Sequence, residues 1–148
     1  MDSVEEKLAE MEWPFVDSDP AALEELTRRV ADAGRGRCLV TYSDLVRGVR
    51  FCLPNVRQGE PFEIDVEEWT SLDRQIVGDF LGAISAESYR RGRFFASALV
   101  ARKADSKPSG HFFEWMEQLG VLPNLREDTV LAFWAEQVNK AHRWYQSH

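Results

Sequence analysis

Two cysteines, three histidines and six prolines among 148 residues leave little material for disulfides, imidazole chemistry or rigid turns. Cys38 and Cys52 are the one pair available for a bridge. No Cys-x-x-Cys and no His/Cys cluster accompanies them, so no structural metal is expected and both thiols read as buried and reduced. No apolar run approaches the ~20 residues that span a bilayer. The run at Ala96–Val100 is already broken by Ser97. The opening Met1-Asp2-Ser3-Val4-Glu5-Glu6 is acidic and lacks the apolar core of a secretion signal. These absences predict a cytoplasmic chain with no membrane partner. Gly-x-Ser-x-Gly, a phosphate loop and Gly-x-Gly-x-x-Gly are missing too, so no cofactor is expected.

What is present is an ordinary globular composition, 44% hydrophobic and 29% charged, carrying a net charge of −7. It predicts a single domain over 1–148, with residues 1–19 as an N-terminal helix and aromatic arm on a core of 20–148. The charge is uneven. Residues 1–33 hold ten acids against Lys7, Arg28 and Arg29, and residues 57–81 hold seven acids against Arg57 and Arg74. Residues 34–56 hold Arg35, Arg37, Arg47 and Arg50 against Asp44 alone, and residues 82–110 hold six bases against Glu87 and Asp105. Such separation predicts a polarised surface.

Periodicity places the elements. Ser3 and Glu6 form a capping box for a helix to Met11, and Trp13-Pro14-Phe15 breaks it as an aromatic anchor. Asp19-Pro20 starts a second helix whose stripe Leu23, Leu26, Val30, Ala33 ends near Gly34. Cys38-Leu39-Val40 suits a short strand, and Thr41 caps a short helix from Tyr42 to about Val49. Phe51–Trp69 has no helical period, although Phe62–Val66 alternates like an exposed strand. Ser71 caps the strongest helix, which runs through Leu72, Ile76, Phe80 and Ile84 to Arg90-Arg91-Gly92. Phe94–Arg102 alternates like a strand, and a polar loop leads to an aromatic helix ending at Gly120. Val130, Trp134, Val138, Ala141 and Tyr145 stripe the last helix, beginning near Asp128. The fold class is mainly α with a small β-sheet, and the element order suggests a winged-helix-like core with added N- and C-terminal helices.

Chemistry has few places to reside. His111 and Glu114 share a helix face but lack a third ligand nearby in sequence, and they read as a helix start with one hydrogen bond. Glu63, Asp65, Glu67 and Glu68, with Lys103 beyond, could form a nuclease-like cluster, but a solvated acidic loop is the simpler account. Cys38 and Cys52 flank arginines without a positioned imidazole. Gly78-x-x-x-Gly82 reads as close approach of another helix. Trp115 and Trp134 read as core, while Trp13, Trp69 and Trp144 suit a contact surface. In a winged-helix layout Arg47, Arg50, Arg90, Arg91, Arg93, Lys103 and Lys107 would meet phosphates, against repulsion from Asp73 and Asp79.

The stretch Thr41-Tyr42-Ser43-Asp44-Leu45, the helix Leu72 to Ile84, and Ser97-Ala98-Leu99-Val100 with Lys103, Pro108, Phe112 and Phe113 resemble a widespread uncharacterised bacterial domain family. There, a small residue, Ala-Leu-Val and lysine precede a proline–glycine turn, an aromatic helix and a tryptophan-bearing helix. The resemblance covers roughly residues 40–145. This chain departs from it in Ser109-Gly110 after Pro108 and in the inserted 51–69 segment. The resemblance implies kinship and no particular activity. The element order and the two basic stretches in an acidic chain lead instead to the expectation of a non-catalytic binding module, adaptor or regulator, with protein or nucleic acid as partner. The alternative is an acidic immunity or antitoxin-type inhibitor of a basic protein.

Overall fold

The computed structural model describes residues 2–148. Seven helices and a two-stranded sheet make up the described residues: α1 (Ser3–Ala9), α2 (Pro14–Ser18), α3 (Pro20–Arg35), β1 (Val40–Thr41), α4 (Tyr42–Val46), α5 (Ser71–Gly92), β2 (Val100–Ala101), α6 (Gly110–Leu119) and α7 (Glu127–Gln146). The protein is mainly helical with a small sheet, as its periodicities predict. No helix among the described residues is long and apolar enough to cross a membrane.

The caps explain several boundaries. Asp2, one residue before the expected Ser3, accepts the Glu5 N–H at 2.7 Å, and α1 stops at Ala9, leaving Met11 outside it. Asp19 caps α3 as anticipated through the Ala22 N–H at 3.1 Å. Its other oxygen accepts the Cys52 N–H at 2.8 Å, tying the long connection to the start of α3. Thr70, not Ser71, forms a reciprocal capping box with Asp73 on α5. Arg29 on α3 donates to the carbonyls of Asp44, Leu45 and Arg47 at 2.7–3.2 Å, closing the C-terminal end of α4 three residues before the expected Val49.

The 51–69 segment is held by one antiparallel bridge, Phe51 to Phe62, and a short 3-10 turn at Arg57–Gly59. Phe62–Val66 does not form a strand. Phe51 and Leu53 are buried while Cys52 between them is exposed, and Cys38 is exposed as well. The expectation of buried thiols is thus overturned. Cys52 lies on the outer side of an alternating segment, and Cys38 lies just past the C-terminal end of α3, its N–H bound to Ala33 O at 3.0 Å.

Residues 94–99 depart furthest from expectation. The strand read over Phe94–Arg102 is a 3-10 turn at Ala96–Leu99 followed by only two strand residues. Every residue from Phe94 to Val100 is buried, so the alternation does not separate a wet face from a dry one. No second strand is available along it, and side chains from α5 and α7 satisfy its backbone instead. The Phe95 N–H donates to Gln137 Oε1 at 2.9 Å and the Ala96 N–H to Ser88 Oγ at 2.9 Å. The Ser97 N–H donates to Ser85 Oγ at 2.9 Å, and Trp134 Nε1 donates to Ala98 O at 2.9 Å. Ser88 Oγ also donates to Phe94 O at 2.8 Å.

The sheet is parallel, pairing Val40 with Val100 and Thr41 with Ala101. A winged helix carries its wing on an antiparallel hairpin, whereas residues 102–109 here form a tight turn between β2 and α6. The Arg102 N–H bonds Lys107 O at 2.8 Å, and the Ser109 N–H reaches Tyr42 Oη at 3.0 Å. The core has two parts. The larger surrounds α5 with α3, α4 and the 51–69 segment. The smaller joins Val4 and Leu8 of α1 to Phe95, Phe112, Phe113, Met116 and Leu122, so the N-terminal helix is built into the fold.

Three glycines seat aromatic rings. A β-carbon on Gly82 would overlap the Trp13 indole, one on Gly34 would overlap Tyr145, and one on Gly92 would lie 2.7 Å from Trp144. Of the pair Gly78 and Gly82, only Gly82 marks the expected close approach, made by Trp13 at the start of α2. Gly82 receives the N-terminal aromatic arm, and Gly78 meets nothing within 4 Å. The seating of Tyr145 on Gly34 and Trp144 on Gly92 brings the C-terminal ends of α3, α5 and α7 together at one end of the molecule.

Candidate functional site

The structure scatters the basic residues expected from sequence. Arg47 pairs with Asp44 at 3.4 Å, and Arg90 pairs with Glu87 one turn before it. Arg93 binds Glu5 and lies 3.7 Å from Asp2, joining α5 to α1, and its guanidinium lies over the Tyr89 ring at 5.3 Å. Arg91 sits 4.9 Å over Trp144. Arg50, Lys103 and Lys107 make no ion pair among the described residues, but Arg50 follows α4 whereas the two lysines share the turn between β2 and α6. Three of the seven are thus engaged by carboxylates and one by an indole.

The catalytic constellations do not assemble. His111 faces Glu114 at 3.7 Å on a fully wet surface, with the imidazole 93% exposed. No group of three or more His, Cys, Asp or Glu residues among the described ones could hold a metal ion. No ion pair joins Lys103 to Glu63 or Asp65. His142 approaches Cys38, but through the backbone: its Nε2 lies 3.1 Å from Cys38 O. A carbonyl oxygen only accepts, so Nε2 is the donor in this contact, and the Cys38 sulfur is directed to Ala33 O at 3.6 Å instead.

The joined helix ends make a different arrangement. Arg37, Asn139, His142, Arg143 and Gln146 line an open groove of about 390 Å³ between the α3–β1 turn and the outer face of α7. The volume lies at the small end of the roughly 300–1,000 Å³ found for small-ligand sites. Gln146 Nε2 fixes one wall by donating to Gly34 O at 3.2 Å and Arg35 O at 2.9 Å. The side chains of Arg37, Asn139 and Arg143 make no hydrogen bond or ion pair within the described protein. No carboxylate lines the groove, in a chain whose net charge is −7.

Three helix C-termini present the negative ends of their dipoles here, so the basic side chains at this end first offset those dipoles, and Arg35 is in addition paired with Asp32 at 3.4 Å. Arg35 and Arg91 both act on the Tyr145 hydroxyl, which places their charges beside the same helix ends. Burial dominates at Tyr145 nonetheless, pushing its phenol up to about 12. Arg37 and Arg143 differ from cations that merely complement a helix dipole, because both face a shared concavity. Sequence reading counted Arg37 within a basic stretch but did not place it in a site, and it passed over Arg143 and Asn139. The i, i+3, i+4 and i+7 spacing of Asn139, His142, Arg143 and Gln146 on α7 was the available signal.

A second concavity of about 340 Å³ lies between Tyr89, Phe95, Phe133, Gln137 and Lys140. Its cations are already paired, Lys140 with Glu136 at 3.0 Å and Arg93 with Glu5. Compared with known proteins, the chain matches no family model, no curated protein and no solved structure.

Proposed function

We propose that this protein is a non-catalytic binding module, an adaptor or regulator working in the cytoplasm, that contacts nucleic acid through the end where α3, α5 and α7 meet. The observation that carries the reading is the groove between Arg37 and Arg143, basic, open and without a carboxylate, on an otherwise acidic chain. Phosphate contacts supply sequence-independent affinity and need only positioned cations, which this end offers. Arg91 over the half-buried Trp144 adds a further cation at the same end of the molecule, on the α5 flank of α7. Kinship with the bacterial family that residues 40–145 resemble is part of the proposal and adds no activity to it.

Fluorescence anisotropy with labelled single- and double-stranded oligonucleotides tests it. Binding is expected at about 50 mM salt and should weaken steeply by about 200 mM. Absence of binding at the lower salt overturns the nucleic-acid reading.

One observation favours a second reading, an acidic inhibitor of a basic protein. Glu60, Glu63, Asp65, Glu67 and Glu68 are all exposed and make no ion pair among the described residues. Replacing these carboxylates with amides should release a co-purifying basic partner that the Arg143→Ala variant retains. A protein that retains no basic partner counts against this alternative.

A further inference from the structure

Arg37 is placed at a cost to the fold. The end of α3 closes with the Gly36 N–H on Asp32 O at 2.9 Å and the Cys38 N–H on Ala33 O at 3.0 Å. This closure puts Arg37 in the left-handed region at φ 52°. Helices that end this way favour glycine there, because a β-carbon crowds the neighbouring carbonyl. A glycine is adjacent, yet Gly36 adopts φ −79°, which any residue tolerates. Arg93 supplies the contrast. It also caps a helix with φ 59°, but its guanidinium is bound by Glu5 and lies over Tyr89, so its side chain returns stability inside the molecule. The Arg37 side chain has no internal partner. It is exposed and lines the groove that it shares with Arg143.

We propose that Arg37 and Arg143 form a seat for the phosphate of a nucleotide, and that Arg37 is kept in its strained position to build that seat. Two guanidiniums present planar forks of donors that match phosphate oxygens. Asn139 offers both a donor and an acceptor, and Gln146 retains its Oε1, for the rest of the ligand. The groove is open to solvent, so a phosphate held between the arginines can carry a nucleoside beyond it. That unit is supplied either by a free nucleotide or by a strand. The seat rests on the nucleic-acid reading only for the strand as its source.

Titrations of the wild-type chain and four variants with inorganic phosphate, adenosine monophosphate and a single-stranded oligonucleotide of about 15 residues test the seat. Arg37→Gly is expected to lose at least tenfold in affinity while melting about 2–4 °C higher. Arg37→Ala loses affinity without that gain, since alanine keeps the strain. Arg143→Ala loses affinity alone, and Arg126→Ala, at the opposite end of α7 from the groove, binds as wild type. An Arg37→Gly variant that binds as tightly as wild type overturns the seat, whatever its melting temperature. If strands bind and neither arginine matters, the nucleic-acid reading stands and the seat falls. If free nucleotide binds through both arginines and strands do not bind, the seat stands and the strand reading falls. Binding of none of the three probes overturns both.

Discussion

Ser85 Oγ lies 2.6 Å from Ser97 Oγ in the centre of the molecule, and the same Ser85 oxygen accepts the Ser97 N–H at 2.9 Å. Ser85 is fully buried. Removing it strands a buried N–H and a buried hydroxyl at once, and each such group costs about 1–3 kcal/mol. Ser85→Ala should therefore destabilise the protein by about 2–4 kcal/mol in urea unfolding. Ser97→Ala keeps the N–H contact and should cost less. The Ser85→Ala/Ser97→Ala double variant should lose less than the two single losses added, because one orphaned hydroxyl disappears. A Ser85→Ala cost below about 0.5 kcal/mol would show that the 94–99 segment is not held by these side chains.

Two glycines four residues apart on α5 should respond in opposite directions. Gly78 is exposed in the helix interior with nothing within 4 Å of an added β-carbon, so Gly78→Ala should stabilise by about 0.5–1 kcal/mol. Gly82→Ala should destabilise by about 1–3 kcal/mol, since the Trp13 ring must leave its seat. Thermal unfolding of the pair, with Trp fluorescence reporting on Trp13, decides between the two effects. Equal responses would contradict the seating of the arm.

Alkaline pH should weaken the fold through Tyr145. Burial favours its neutral phenol, raising it to about 12 from an unperturbed value near 10. The folded state then holds the proton longer than the unfolded state. Its contribution is complete below about pH 10 and is lost as pH rises through about 12, at up to about 1.4 kcal/mol per pH unit. Tyr145→Phe should leave stability near pH 7 almost unchanged, because the hydroxyl makes no hydrogen bond among the described residues. It should flatten the loss between pH 10 and pH 12, measured as urea midpoints across that range. An unchanged slope would place the alkaline sensitivity elsewhere.

Both thiols should react without unfolding. Cys38 and Cys52 are exposed, and only weak contacts hold their sulfurs, Cys38 Sγ to Ala33 O at 3.6 Å and Cys52 Sγ to Gly59 O at 3.5 Å. A colorimetric thiol reagent should titrate two groups per native chain, at rates unchanged by mild denaturant. A thiol that reacts only after denaturation would contradict its exposure.

The sequence by itself determined six of the seven helices and some of their caps, while α2, Pro14–Ser18, stands where a break and an aromatic arm were expected. Asp19-Pro20, Thr41, Gly120 and the α7 stripe act over one to four turns, and the physics of caps and amphipathic faces is local. Local signals also misplaced some ends by a residue or more, as when Thr70 outcompeted Ser71 and Arg29 closed α4 early. The basic stretches were legible as composition, but not which arginines remain without partners. Arg93 is engaged by Glu5 from 88 residues away, a pairing that no spacing announces.

Only the tertiary structure decided what residues 94–99 become and where the groove lies. Alternation in Phe94–Arg102 cannot distinguish a strand from a buried turn whose backbone is bonded by Ser85, Ser88, Gln137 and Trp134. Those four side chains come from two other helices. The groove likewise joins Arg37 to Arg143 through contacts such as His142 to Cys38, 104 residues apart. Aromatic rings seated on Gly34 and Gly92 set that juxtaposition, because only a residue without a β-carbon lets α7 approach so closely.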